Sequence, residues 1–500
     1  MAQKRSWENN MFAKMSVKMK IFFTAWIVYV LFMYIKPESM SSNLVDLAMS
    51  LVDNGNVYLR YSTSSIDISF VNGKYISGHL PGASMLVVPL YLLAKPFFFH
   101  MSGENALVLL HVLSIIFISS VSGALITVIF YSFLQQIMIN EKSRLILTFI
   151  YAFGTMNFGY STSYYKGIIA TLCVFYAFYI VFLESYKRQR SLKIFFAAGL
   201  LLGMAAITDF SVLYIVCILF IYAVYVGGGK RGLIAILGVL IPLIFLALYF
   251  KTAFGGFFSM PYAYRVNPDP NVITYPRMYN VFNLFFSIKQ GFFVYMPIMV
   301  LSAFGLAEGV RRKEFIPEML TVILIFVIGG FYFSGYVRRV DPLHIACPHD
   351  AHMVIRYLMP ICPFMLLGAA FVVNEIRRSI VYILGGVSIF FSYLAAQAGL
   401  LPYGLWQIVY ALKVFVTGFG MPTMFSQTLP HKFNIMTLHT YMSKPDNLTI
   451  AQLLTSDNKQ LLFNLITNQL LFFGMFAGVA GVITTILFFM WRDTTQHLKG

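Results

Sequence analysis

The sequence predicts an all-α polytopic membrane protein. Three observations carry that prediction. Hydrophobic residues make up 59% of the chain and charged residues only 11%, with a mean hydropathy of +0.75. Many apolar runs approach the roughly 20 residues needed to cross a bilayer. Lys and Arg gather in short clusters between those runs, as the positive-inside rule places them. The runs are long and continuous rather than alternating, so β-strands are set aside. The net charge of +17 does not indicate nucleic acid. It is divided among inter-span turns, where it suits anionic lipid.

The elements follow from a cytoplasmic, basic N-terminus (residues 1–20) that precedes an uncleaved first span at 17–35. A polar outer loop, 36–104, comes next and includes a surface helix over 83–99. Spans two to seven are expected at 106–135, 145–158, 167–183, 194–207, 210–226 and 233–250. Spans eight to twelve are expected at 291–306, 319–336, 354–373, 380–400 and 461–490. Outer loops fall at 251–290 and 401–460, and both termini lie inside. Every inner turn then holds at least two Lys or Arg, for example Lys142 with Arg144 and Arg311 with Arg312. Reading 83–99 as a span would move several of these clusters outside, against the rule. In domain terms, 21–375 is a transmembrane core and 376–500 a set of C-terminal helices.

Function concentrates on the outer side. No internal repeat is visible, which gives an inverted-repeat transporter no support. No span carries an acid at its midpoint, which counts against an ion-coupled pump. The first outer loop is rich in polar residues: Asp46, Asp53, Asp67, the Asn72-Gly73 turn, Tyr75 and His79. Asp67 is the first candidate for a general base and Asp46 the second. The plain alternatives are a turn-capping acid or a Lys74 partner for Asp67, and a helix acid for Asp46. Asp53 precedes Asn54-Gly55, where a helix C-cap explains it.

Cations at outer span ends, Lys166, Arg338, Arg339 and Arg356, are candidates to hold a phosphate. Headgroup contact is the plain alternative for each. Tyr262, Tyr264 and Arg265 could stack on a sugar and hold a phosphate, or form an interfacial aromatic belt. The group Asp341, His344, His349, Asp350 and His352 matches no strong metal pattern, so no metal or other cofactor is assigned. The four cysteines lack CxxC spacing. Cys173 and Cys217 read as small apolar fillers, while a Cys347–Cys362 disulfide is conceivable.

Several stretches together resemble the GT-C class of membrane glycosyltransferases, in particular bacterial relatives of protein O-mannosyltransferases and aminoarabinose transferases. They are DISFVNGKYISGHLPGASMLVVP (67–89), GLLLGMAAITDF (199–210), the Phe254-Gly255 to Tyr264 loop, GFFVYMP (291–297) and Arg356-Tyr357-Leu358-Met359-Pro360. The resemblance implies a GT-C-like bundle of about 12 transmembrane helices whose large first extracytoplasmic loop bears surface helices. It implies inverting transfer of a sugar from a polyprenyl-phosphate donor to a lipid, glycan or protein acceptor, without nucleotide. An acid of the first loop would be the base and Arg356 a cationic site residue. Tyr75, His79, Tyr264 and Arg265 would contact substrate. The chain departs from the pattern where Ser41-Ser42-Asn43 replaces an acid pair, where Lys166 stands for a His, and where Val354-Ile355 precedes Arg356. A transporter or flippase of lipid-linked sugars is the alternative. The expected location is the bacterial inner membrane.

Overall fold

The structure, a computed structural model, describes residues 15–35, 37–62, 67–98, 100–187, 191–266, 276–287, 291–335 and 356–398, with residues 485, 487, 490 and 491. Helix α1 (Val17–Leu31) starts at Ser16, whose hydroxyl accepts from the Met19 amide. That bond satisfies one of the orphan N–H groups of a helix start. Helix α2 (Ser39–Asn54) begins where the Ser41 hydroxyl accepts from the Glu38 amide, and ends at Gly55 in the left-handed region. An amphipathic helix thus follows α1 directly.

Two strands come next, β1 (Ile68–Val71) and β2 (Lys74–Ser77), paired antiparallel with Ile68 opposite Ser77. This corrects the expectation that strands are absent. The two-residue Asn72-Gly73 turn has positive φ at both positions, 50° and 79°, the conformation that tight hairpins favour. Four-residue strands are too short to register against spans several times their length. Helix α3 (Gly82–Ala94) continues into a 3₁₀ turn (Lys95–Phe98) and packs on α2.

Helix α4 (Gly103–Ser114), a π turn (Ile115–Ser119) and α5 (Ser120–Ile137) form one 35-residue apolar rod. Then come α6 (Glu141–Gly154), α7 (Met156–Ser161), α8 (Lys166–Lys187), α9 (Leu192–Thr208), α10 (Leu213–Gly227) and α11 (Gly229–Phe254). Helix α9 packs most intimately on α11. A Cβ at Gly199 or Gly238 would meet the backbone of the opposite helix, so close packing requires glycine there. The chain then gives α12 (Met278–Phe286), α13 (Phe292–Tyr295), α14 (Ile298–Arg311) and α15 (Ile316–Ser334).

Among the described residues, five helical stretches are long and apolar enough to cross a membrane: Gly103–Ile137, Lys166–Tyr186, Phe210–Gly227, Gly229–Phe254 and Ile316–Ser334. This is the architecture of an all-α membrane protein. Three expected spans are broken. The third is interrupted at Thr155 between α6 and α7. The eighth splits at Met296-Pro297 into α13 and α14. The tenth is a 3₁₀ turn (Met359–Ile361), a short α16 (Cys362–Leu366) and another 3₁₀ turn (Leu367–Phe371). Proline removes a backbone donor, and Pro297, Pro360 and Pro363 sit at the breaks in the eighth and tenth. The 359–371 segment is nonetheless deeply buried, with Cys362 and Phe364 at 0% exposure. Helix α17 (Arg378–Ala398) follows. The expected twelfth span and the 401–460 loop lie outside the described residues, apart from four positions near the end of that span.

Candidate functional site

The hairpin register builds the centre of the site. Just beyond the Ile68–Ser77 pair, the Gly78 amide donates to the Asp67 carbonyl at 3.0 Å. This aligns Asp67 with Gly78 and brings His79 over the carboxylate, with Nε2 to Oδ2 at 3.7 Å. The Asn43 side chain of α2 donates to the Asp67 carbonyl at 2.8 Å, and the Ser39 hydroxyl reaches its carboxylate at 3.3 Å. Lys74 does not pair with Asp67. Its ammonium lies over the Tyr58 ring, 4.1 Å from the centroid.

The second polar loop adds a cation. Ser69 bridges Arg265, and the Val266 amide donates to the Ile68 carbonyl at 3.1 Å, so the loop runs along the hairpin edge. Arg265 reaches Asp67 Oδ1 at 3.4 Å with its guanidinium over the Tyr262 ring.

The helix bundle supplies a second ion pair beneath. Lys166, at the start of α8, meets Asp209, just after α9, at 3.5 Å, and both side chains are buried. Gly82 lets the loop settle there, because a Cβ at that position would fall 2.7 Å from the Ile207 carbonyl oxygen. The Tyr164 hydroxyl donates to the Ala83 carbonyl at 2.7 Å and ties α8 to the same turn. Arg356 lies near Glu38 and Asp67, with its guanidinium 5.2 Å from the Tyr357 ring centroid. Tyr357 itself stacks on Phe333.

The charges set one another's protonation. Burial alone would raise the Asp67 carboxyl, but the neighbouring His79, Arg265 and Arg356 outweigh it and hold Asp67 well below the usual carboxylate range. Burial pushes the His79 imidazole down, and Lys166 adds to that effect against the pull of Asp67. Asp67 is therefore an ionised acceptor at neutral pH and His79 a neutral ring. Burial pushes the Glu38 carboxyl up against the charge of Arg356. Two acids that share the charge of Arg356 thus hold protons differently, the pattern that separates acid from base roles.

Asp46 is placed otherwise. It is fully buried, and its Oδ2 accepts from the Arg60, Tyr61 and Ser62 amides at 3.0, 2.8 and 2.8 Å and from the Ser62 hydroxyl at 2.9 Å. That geometry anchors the loop backbone. Asp53 joins Arg60, Lys95 and Tyr91 in a separate network. Tyr75 stands on the exposed hairpin face beside Phe70, and Tyr264 stacks on Phe254. Arg338, Arg339 and the Asp341–His352 group lie outside the described residues, as does Cys347. Among the described residues, no three His, Cys, Asp or Glu come together as a metal site would need.

Sequence reasoning missed Glu38, Ser39, Asp209 and Tyr357 as parts of this cluster. Glu38 was legible as the first acid after the first apolar run, and Asp209 as the lone acid following α9. A search of protein-family models finds no match to this chain, and a search of curated proteins finds none either.

Proposed function

We propose that this protein is a GT-C-type glycosyltransferase that moves a sugar from a polyprenyl-phosphate donor to a lipid, glycan or protein acceptor. The observation that carries the reading is the buried charge cluster in which ionised Asp67 meets His79 and Arg265 beside the Lys166–Asp209 pair and Arg356. A base and several cations within one largely buried cluster suit displacement of a sugar from phosphate.

In this reading the acceptor hydroxyl lies against Asp67. Its oxygen attacks the anomeric carbon as the bond from that carbon to the phosphate oxygen breaks. The electron pair leaves with the phosphate, and the hydroxyl proton passes to Asp67. Because Asp67 holds protons weakly, it orients the hydroxyl and takes the proton late, once the attacking oxygen has become acidic. Arg356 and Lys166 face the departing phosphate, with Arg338 and Arg339 assigned the same role from sequence. Arg265 and Tyr262 face the sugar. Asp46 supports the loop rather than the chemistry.

The finer topology belongs to the same proposal. The chain would cross a bacterial inner membrane about twelve times, with both termini cytoplasmic and the Asp67 cleft on the outer face. The positive-inside arrangement of the basic turns supports it.

The deciding measurement is lipid-extract mass spectrometry on the gently purified protein, followed by incubation with a polyprenyl-phosphate sugar. The expected result is co-purified polyprenyl phosphate and release of the carrier without its sugar. Bound carrier whose sugar is never released would favour a flippase. Bulk phospholipid alone, even after the donor is added, would overturn the reading.

A further inference from the structure

A second site lies at the opposite end of α6 from the Asp67 cleft. A cavity of about 310 Å³ opens between the N-terminal turns of α6 and α17. Leu145, Ile146, Val373 and Val381 wall it, and Lys142 and Arg378 stand at its mouth. The Ser143 hydroxyl, hydrogen-bonded to the Asn374 side chain at 2.6 Å, holds the two sides together.

The electrostatics of this cavity are unusual. Helix N-termini carry partial positive charge, so cations in the first turn are disfavoured there. Here two helix starts converge, and each places a cation at the cavity, Lys142 in the first turn of α6 and Arg378 at the first position of α17. Glu141 offsets part of that charge. Glu375, the other nearby acid, is held by Arg312 in a 2.6 Å ion pair. Neither Lys142 nor Arg378 has an ion-pair partner among the described residues. The local excess calls for an anion.

The surroundings say which kind. Beside the mouth, Ile139, Ile380, Tyr382 and Ile383 are 98%, 43%, 54% and 63% exposed. A free anion would leave that apolar surface in water. A phospholipid would place its phosphate on the cations and its chains along these side chains. Basic pockets between membrane helices hold lipid headgroups in this way.

We infer that the cavity between α6 and α17 binds the headgroup of an anionic phospholipid. The inference does not rest on the transferase reading, because it uses none of the residues of the Asp67 cleft. It makes the basic end of the bundle a specific lipid contact rather than a generally charged surface.

Native mass spectrometry of the whole protein in detergent tests it. The probes are phosphatidylglycerol and phosphatidylcholine with identical chains, and glycerol phosphate as a free headgroup. The intact protein should retain one phosphatidylglycerol at about thirtyfold lower concentration than phosphatidylcholine, the effect expected from two cations facing a headgroup whose negative charge no choline cancels. The double variant Lys142→Gln, Arg378→Gln should lose that preference. Ile146→Phe, which narrows the cavity and keeps both cations, should lose the retained lipid as well. Equal retention of the two lipids by the intact protein overturns the inference without any variant. So does an unchanged preference in a folded double variant. Displacement of the lipid by glycerol phosphate at comparable concentration overturns the lipid assignment in favour of a free anion.

Discussion

Two charge clusters at opposite ends of the helix bundle are built in opposite ways. At the basic end, Glu308 bonds Arg311 and Arg312, and Arg312 also bonds Glu375, all at 2.6 Å and largely in the open. At the hairpin end, the contacts of Asp67 with His79 and Arg265, and of Lys166 with Asp209, are 3.4 to 3.7 Å long and more deeply buried. There His79 keeps both ring nitrogens without a hydrogen bond within 3.5 Å, and one oxygen of Asp209 is likewise unmatched. Exposed charges that are already well paired have little left to offer a ligand. Buried charges held loosely are costly to keep, and a ligand recovers that cost by completing their hydrogen bonds. The difference separates a solvated charge network from the buried charge cluster on which the proposed chemistry rests.

The contrast can be broken most strongly at Asp67. Asp67→Asn should lower sugar transfer by about 10²–10⁴-fold, the usual contribution of a positioned base. Amount of protein and melting temperature should stay near those of the parent. A transfer assay with polyprenyl-phosphate sugar measures it, and full activity in a folded Asp67→Asn protein would remove the carboxylate from the chemistry.

Asp46 should behave in the reverse manner. Asp46→Ala leaves three buried or partly buried amides without their acceptor, which should cost about 3 kcal/mol of stability. Less folded protein and a lower melting temperature are expected, with activity per folded molecule largely kept. Loss of activity without loss of stability would merge the two acids into one role.

A smaller effect sharpens the description of the cleft through pH. Burial holds the His79 imidazole below its ordinary value of 6.5. Below that pH the unfolded chain binds a proton that the folded chain does not. Stability therefore falls as pH drops below 6.5 and levels off once the folded imidazole is protonated. His79→Gln should flatten this part of the thermal-unfolding profile. An unchanged slope would assign the acid sensitivity elsewhere. Asp67 does not contribute in that window, since its carboxyl stays ionised to far lower pH.

The smallest effect belongs to the basic end. Glu308→Gln should leave sugar transfer unchanged and shift the melting temperature only slightly, with the shift vanishing at high salt, because exposed ion pairs are screened. A large loss of transfer would mean that the two ends are coupled.

Much of the helical framework was legible in the chain itself. Long apolar runs bounded by Ser102, Asn140, Thr155 and Gly228 fix helices through local bonds and hydropathy, and α8, α10, α11 and α15 fall close to where those signals place them. The acid-bearing loop and the Asn-Gly turn were also visible. The breaks at Pro297 and Pro360 were written in the sequence too, but apolar continuity outweighed them in the reading. What only the tertiary structure decided is which acid faces the cations. Asp46 and Asp67 look alike as residues in one polar loop. One turns inward to three amides, and the other meets His79, which lies 12 positions further along the chain, and Arg265, nearly 200 positions away. Local preference reaches a few residues along a chain, whereas the field at a carboxylate is set by whatever packing brings within a few ångströms. The two acids therefore differ only once the helices, the hairpin and the second loop have come together.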